Sequence, residues 1–116
     1  MAASILGQLG AVAIAGNSTL TQVYRVPANR RASVNLTIAP RAATSGNIRI
    51  AHIKNDTVAN VANEDYLLYD FPNSALATQF APIEKTGLLL AAGDTIAVYS
   101  SGPVVSAQVN GIEEDA

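Results

Sequence analysis

The chain has no cysteine and no tryptophan, a single histidine, two phenylalanines and four tyrosines among 116 residues. Without cysteine, disulfide scaffolds, thiolate metal sites and cysteine nucleophiles are excluded together. One histidine excludes any metal centre built on two. So few aromatic rings are a poor stock for a platform that stacks sugars or single-stranded nucleic acid. Charge is scarce as well: charged residues are 14%, against about 25% in ordinary soluble domains. A surface so weakly charged points to a protein that covers much of itself with other chains. Long apolar runs are also missing. Met1–Gly16 is apolar and small, but Gly7, Gln8 and Gly10 interrupt it, well short of the roughly 20 residues of a membrane span. No cation precedes it, the first being Arg25, so it lacks the leader of a secretory signal. The expectation is a soluble protein made in the cytoplasm, with no membrane association.

What remains is one domain's worth of chain. Apolar residues are 49%, yet 21 residues are alanine, which leaves bulky side chains for one thin core. Their strongest pattern has period two, the signature of half-buried strands. In Arg31–Ala39, Val34, Leu36 and Ile38 face one way and Ser33, Asn35 and Thr37 the other. Asn47–Lys54 and Asp94–Ser101 repeat the alternation. Leu9–Ala15, Leu20–Val26, Asp65–Phe71, Thr86–Leu90 and Val104–Asn110 complete about eight predicted strands. Turn chemistry separates them at Pro27-Ala28-Asn29, Ser45-Gly46-Asn47, Ala92-Gly93-Asp94 and Ser101-Gly102-Pro103. Two longer connections, Asn55–Glu64 and Pro72–Lys85, each have room for one helical turn. The reading is all-β: an antiparallel sandwich of about eight strands with jelly-roll or Greek-key connections, over residues 17–116. Residues 1–16 are either an apolar arm for a neighbour's strand edge or the first strand of the chain's own sheet.

Charge is segregated along the chain. Six of seven cations (Arg25, Arg30, Arg31, Arg41, Arg49 and Lys54) lie in the first 55 residues, and all nine acids lie beyond them. Either basic and acidic strands are neighbours in the sandwich, or the protomer has one basic and one acidic face that orients its packing with copies of itself, or a basic face docks on some other acidic surface. Chemistry is harder to find. His52 has Asp56 or Asp65 as a prospective orienter, but no G-x-S-x-G elbow accompanies it and catalysis is not expected. Glu64, Asp65 and Asp70 lack the D-x-D-x-D-G spacing of a calcium loop. Glu113-Glu114-Asp115 reads as a solvated tail. Gly7, Gly10 and Gly16 are not followed by Lys-Ser/Thr, and an acidic pI near 5.1 disfavours broad nucleic-acid binding. No cofactor, metal or nucleic acid is expected.

Certain residues, taken in order, resemble a family of small virion proteins of tailed bacteriophages, frequent in cyanophages and related marine phages. The similarity runs from Leu20 onward. It is carried by Val23-Tyr24-Arg25-Val26-Pro27-Ala28, Ala32–Ile38, Ile48-Arg49-Ile50-Ala51, Asp65-Tyr66 with Tyr69-Asp70, Glu84-Lys85-Thr86-Gly87, Ala92–Ile96 and Val105–Glu114. The resemblance implies a β-sandwich structural protein of the virion with no enzymatic role. Its expected partners are the major capsid protein, as for a decoration or cement protein, or tail, neck or fibre proteins. A symmetric homo-oligomer such as a trimer is expected. A carbohydrate-binding module is the reading from another class. The residues expected at an interface are Leu6 and Leu9 of the arm, Tyr24, the cations Arg25, Arg30, Arg31 and Arg41 facing a neighbour's acids, and Glu113 and Glu114.

Overall fold

The structure, a computed structural model, describes residues 4–41, 46–73, 82–102 and 104–116. Two of the predicted turn residues, Ser45 and Pro103, and residues 74–81 of the second long connection lie outside them. Within them the chain is all-β, with eight strands: β1 (Ile5–Ile14), β2 (Asn17–Arg25), β3 (Arg30–Pro40), β4 (Gly46–Ile53), β5 (Tyr66–Asn73), β6 (Ile83–Leu90), β7 (Thr95–Ser101) and β8 (Val105–Asp115). They form two four-stranded sheets, ordered β1-β8-β3-β6 and β2-β7-β4-β5, with every pairing antiparallel. Consecutive strands alternate between sheets until β4 and β5 pair directly, and first and last strands are neighbours. That is jelly-roll connectivity.

Period-two alternation does what it predicts in the central strands. Ala32, Val34, Leu36 and Ile38 of β3 and Val105, Ala107 and Val109 of β8 are buried between the sheets, against Ile48, Ile50, Ile96 and Val98 of the second sheet. Removing those branched side chains from water is the main force holding the layers together. The edge strands alternate less cleanly because bulges interrupt them. Pairing shifts by a residue between Gln8 and Gly10 in β1, and between Gln22 and Tyr24 in β2. On β6 the break comes where Val34 and Leu36 face Leu88 and Lys85. A bulge puts an extra residue on one strand and hides the period. This is why β1 begins at Ile5 and not Leu9, and β6 at Ile83 and not Thr86.

The first long connection holds two short 3₁₀ turns, Val58–Asn60 and Asn63–Asp65. It lies on the outer face of the second sheet, where Val58, Val61 and Tyr66 cover Ala51, Ile53 and Ala97 in a second small core. β7 is therefore buried on both faces, and only its Tyr99 and Ser101 stay partly open. The turn after β2 behaves as its residues dictate: Asn29 is left-handed at φ 64°, and the Arg30 amide donates to the Pro27 carbonyl at 3.3 Å.

Candidate interaction surfaces

Segregated charge meets across the sheets. Antiparallel pairing of β3 with β8 sets Arg30 opposite Asp115 and Arg31 opposite Glu114. Odd positions of β8 face inward, so Glu113 falls at the end of the core row and is only 5% exposed. Two groups from other strands meet it there. The Tyr24 hydroxyl donates to Glu113 Oε1, and Arg30 Nε donates to Glu113 Oε2 at 2.5 Å. Arg30 also reaches Asp115 Oδ1 at 2.5 Å and the Glu113 carbonyl at 3.3 Å. Burial, then the bond and charge of Glu113, push the Tyr24 phenol far above its ordinary range, against the opposing pull of Arg30. The end of β8 is thus a tied strand and not a solvated tail, and the Ala116 amide closes it onto the Asn29 carbonyl at 3.0 Å.

The expected interface residues divide accordingly. Tyr24, Arg30 and Glu113 are taken up inside the chain. Arg31 and Glu114 pair with each other at 3.0 Å, with side chains 63% and 36% exposed. Arg30 and Arg31 therefore pair with acids of their own chain, and the exposed Arg31 side chain stays accessible to a neighbour. Arg25 is exposed and donates to the Gly93 carbonyl at 3.1 Å. Arg41 donates to the Ile14 and Val105 carbonyls, each at 3.4 Å. Leu9 is half-buried and packs on the main core. Leu6 is 74% exposed, on a strand that pairs with β8 in its own sheet.

Two further clusters use residues that spacing did not bring together. His52 ends the core-facing row of Ile48 and Ile50. Its Nε2 donates to Asp94 Oδ2 at 2.8 Å, and not to Asp56 or Asp65. Asp94 is 3% exposed and also accepts from the amides of Asn55 and Ala91 at 2.9 and 3.1 Å. Burial opposes its ionisation, but the His52 bond and the two amides outweigh it and hold the carboxyl below its usual range. Asp65 caps the second 3₁₀ turn through the Ala62 amide at 2.8 Å. On the outer face of the second sheet, Arg49 donates to Asp70 at 2.6 Å. Its guanidinium lies 4.1 Å from the Tyr69 ring centre and 4.3 Å from that of Tyr99. Asp70 reaches it from a bulge, at φ 50°.

Large apolar side chains that remain exposed sort into two groups. Ile5, Leu6 and Leu89 belong to the first sheet, and Leu67, Tyr69 and Phe71 to edge strand β5 of the second. On the outer face of the first sheet the register runs Leu6 opposite Ile112, Ile112 opposite Ser33, and Ser33 opposite Leu89. Ser33 is the small member of that row. Its neighbours Leu89 and Ile112 wall a groove, closed at one end by the Arg31–Glu114 pair. Leu89 was missed because the run Leu88-Leu89-Leu90 gives no sign of which leucine faces out. Comparison with protein-family models, curated proteins and solved structures returns no match.

Proposed function

We propose that the chain is a structural protein of a bacteriophage virion, which decorates or cements the capsid by protein–protein contacts. The observation that carries this reading is the sorting of exposed apolar side chains into two groups, one on each sheet. A sandwich with one such group per layer is suited to joining two neighbours, and exposed clusters of this kind mark interaction sites. Support also comes from the resemblance in sequence and from the low charge. The jelly-roll order is found in viral capsid and lectin domains alike and does not decide between them. Because Arg30 and Arg31 are engaged within the chain, docking rests on apolar contact more than on cations meeting a partner's acids.

The test is addition of purified protein to undecorated heads. Saturable, stoichiometric binding that weakens in Leu67→Glu and Phe71→Glu is the expected result. Binding to tails and not to heads would move the protein to the tail, neck or fibre. One observation favours a second reading, glycan binding: three of the four tyrosines, Tyr66, Tyr69 and Tyr99, gather about Arg49 on one face, with Tyr69 57% exposed. A glycan array probed with wild type and Tyr69→Ala decides it; no hits removes it.

A further inference from the structure

We infer that the loops at one end of the sandwich form a binding pocket for a neutral sugar residue, held by Arg25 and by the side-chain amides of Asn29 and Asn55. Three connections meet there. Pro27, Ala28 and Asn29 follow β2, Asn55 follows β4, and Ala92 and Gly93 lie between β6 and β7, around a cavity of about 510 Å³. That volume lies within the range of small-ligand sites. The walls are fastened to one another through the β6–β7 turn. The Asp94 carboxylate takes the Asn55 amide at 2.9 Å and the Ala91 amide at 3.1 Å, and its carbonyl accepts from the Val26 amide at 3.0 Å. The Gly93 amide returns a bond to the Val26 carbonyl at 2.9 Å, and Arg25 Nε donates to the Gly93 carbonyl at 3.1 Å. Gly93 is left-handed at φ +83°, and a Cβ there would strike Oδ1 of Asn55, so glycine lets that side chain lie against the turn. A pocket fixed before its ligand arrives loses less entropy on binding.

The polar groups around the cavity have bonding capacity to spare. Among the described residues, the side-chain amides of Asn29 and Asn55 and the terminal nitrogens of Arg25 make no hydrogen bond within the chain. An amide both donates and accepts, as a sugar hydroxyl does, and an arginine adds a fork of donors. A carboxylate only accepts and would leave both amide oxygens unused. Charge also favours a neutral ligand. Arg25 is the one cation among the described residues lining the cavity, and two carboxylates stand behind the wall. One is Asp94, bound to the Asn55 amide. The other is Asp56, next in the chain, whose carboxyl is held below its usual range first by the Asn60 side chain, then by the Thr57 amide and more weakly by the charge of Arg25. An anion would meet a cation already partly offset. Pro27, Ala28 and Ala92 supply apolar surface for the carbon face of a sugar ring.

The pocket is separate from both groups of exposed apolar side chains and from the tyrosines around Arg49, so the inference stands apart from docking on a particle and from glycan binding at that tyrosine face. The test is two-dimensional NMR of the full chain titrated with glucose, galactose, mannose and N-acetylglucosamine, with acetate as the anionic control. Saturable shifts at the Asn29, Asn55 and Gly93 amides with at least one sugar are expected. Asn29→Gly and Asn55→Gly keep a left-handed backbone, at φ 64° and 49°, and remove the side chain. Each is expected to weaken binding by about tenfold, and Tyr69→Ala to leave it unchanged. Should a glycine variant fold poorly by circular dichroism, Arg25→Gln, at an exposed side chain, takes its place with the same expectation. Glycan-array hits that Asn29→Gly removes and Tyr69→Ala retains mean that the sugar ends a glycan; saturable shifts without array hits mean a free sugar. The inference is overturned if no sugar saturates, if acetate binds more tightly than every sugar, if the shifts centre on Tyr69, or if either glycine variant binds as wild type does.

Discussion

Glu113 is the most informative position to perturb, because a carboxylate sits at the end of a hydrophobic row with only 5% of its surface exposed. Glu113→Ala removes the acceptor of the Tyr24 hydroxyl and of Arg30 Nε, leaving a phenol and a guanidinium at the mouth of the core. Removing one member of a buried, hydrogen-bonded charge pair costs about 3–5 kcal/mol. Arg30 keeps Asp115 at 2.5 Å, so the lower half of that range, about 3–4 kcal/mol, is expected. With an unfolding entropy of about 2.1 cal/mol/K per residue, or about 0.24 kcal/mol/K for this chain, Tm should fall by about 12–16 °C. Thermal melts by circular dichroism measure it, with Glu114→Ala as control. Glu114 is 36% exposed and paired only at the surface, so the control should lose no more than about 0.5 kcal/mol. A double cycle of Tyr24→Phe with Glu113→Gln should give a coupling of about 1–2 kcal/mol. If Glu113→Ala costs under about 1 kcal/mol, the same as its neighbour, the end of β8 is not tied as described and the reasoning fails.

Gly111→Ala tests the β3–β8 contact: a Cβ there would run into the Ser33 carbonyl oxygen and the Val34 Cα. The strands must part, and a loss of about 2–3 kcal/mol in urea unfolding is expected, where Gly7→Ala should act through its φ of +106° alone. Asp94 has its carboxyl held below the usual range, so its contribution is full above the unfolded value near pH 4 and drains as pH falls through the folded one, by about 1.4 kcal/mol for each unit of depression. Melting temperature should drop on acidification below about pH 4, and Asp94→Asn, less stable at neutral pH by about 1–3 kcal/mol, should show a flatter acid limb. An acid limb of the same steepness would exclude this role. Tyr24 titrates in the opposite sense. Its raised value favours the neutral phenol in the folded state, so its contribution is full below about pH 10 and is lost above it, and Tyr24→Phe should blunt alkaline unfolding.

Much of the fold is legible in the sequence because the central strands are long, regular and buried on one face. β3 could be placed within a residue at each end, since Val34, Leu36 and Ile38 alternate without interruption. β4 and β7 were legible too, with the double-sided burial of β7 hidden. Nothing in Thr95–Ser101 announces that Val58 and Val61 come back to cover Ala97. Strand order was illegible: it is set by contacts between residues as far apart as Arg30 and Asp115, and local pattern holds no record of such pairing. The interaction surfaces were half-legible. Leu6 stood out as an apolar residue in an uncharged stretch, but Leu89 and Ile112 acquire their meaning only when β6 and β8 flank Ser33. His52 was legible as the end of a core-facing row and its partner was not, since Asp94 lies 42 residues away at the far side of the β6–β7 turn.

Charge segregation is the feature whose meaning changes most between sequence and structure. As a string, a basic first half and an acidic second half describe a polar protomer. The jelly-roll order folds that polarity back on itself, because β3 lies beside β8, and Arg49 of β4 lies beside Asp70 of β5. Opposite charges thereby become neighbours at strand ends. They also fix the register: a slip of one residue between β3 and β8 would turn Glu113 outward and put Glu114 in the core, facing Tyr24. Surface ion pairs contribute little to stability, but the same slip would bury Gln108 and Asn110 in place of Ala107 and Val109, and unpaired amides between the sheets cost several kcal/mol. With seven of its sixteen charged side chains in these cross-strand pairs, the outer face of the first sheet carries few other charges, and Leu6 and Leu89 stay exposed. A partner covering that face would meet apolar side chains and few charges, which is what the proposed docking requires.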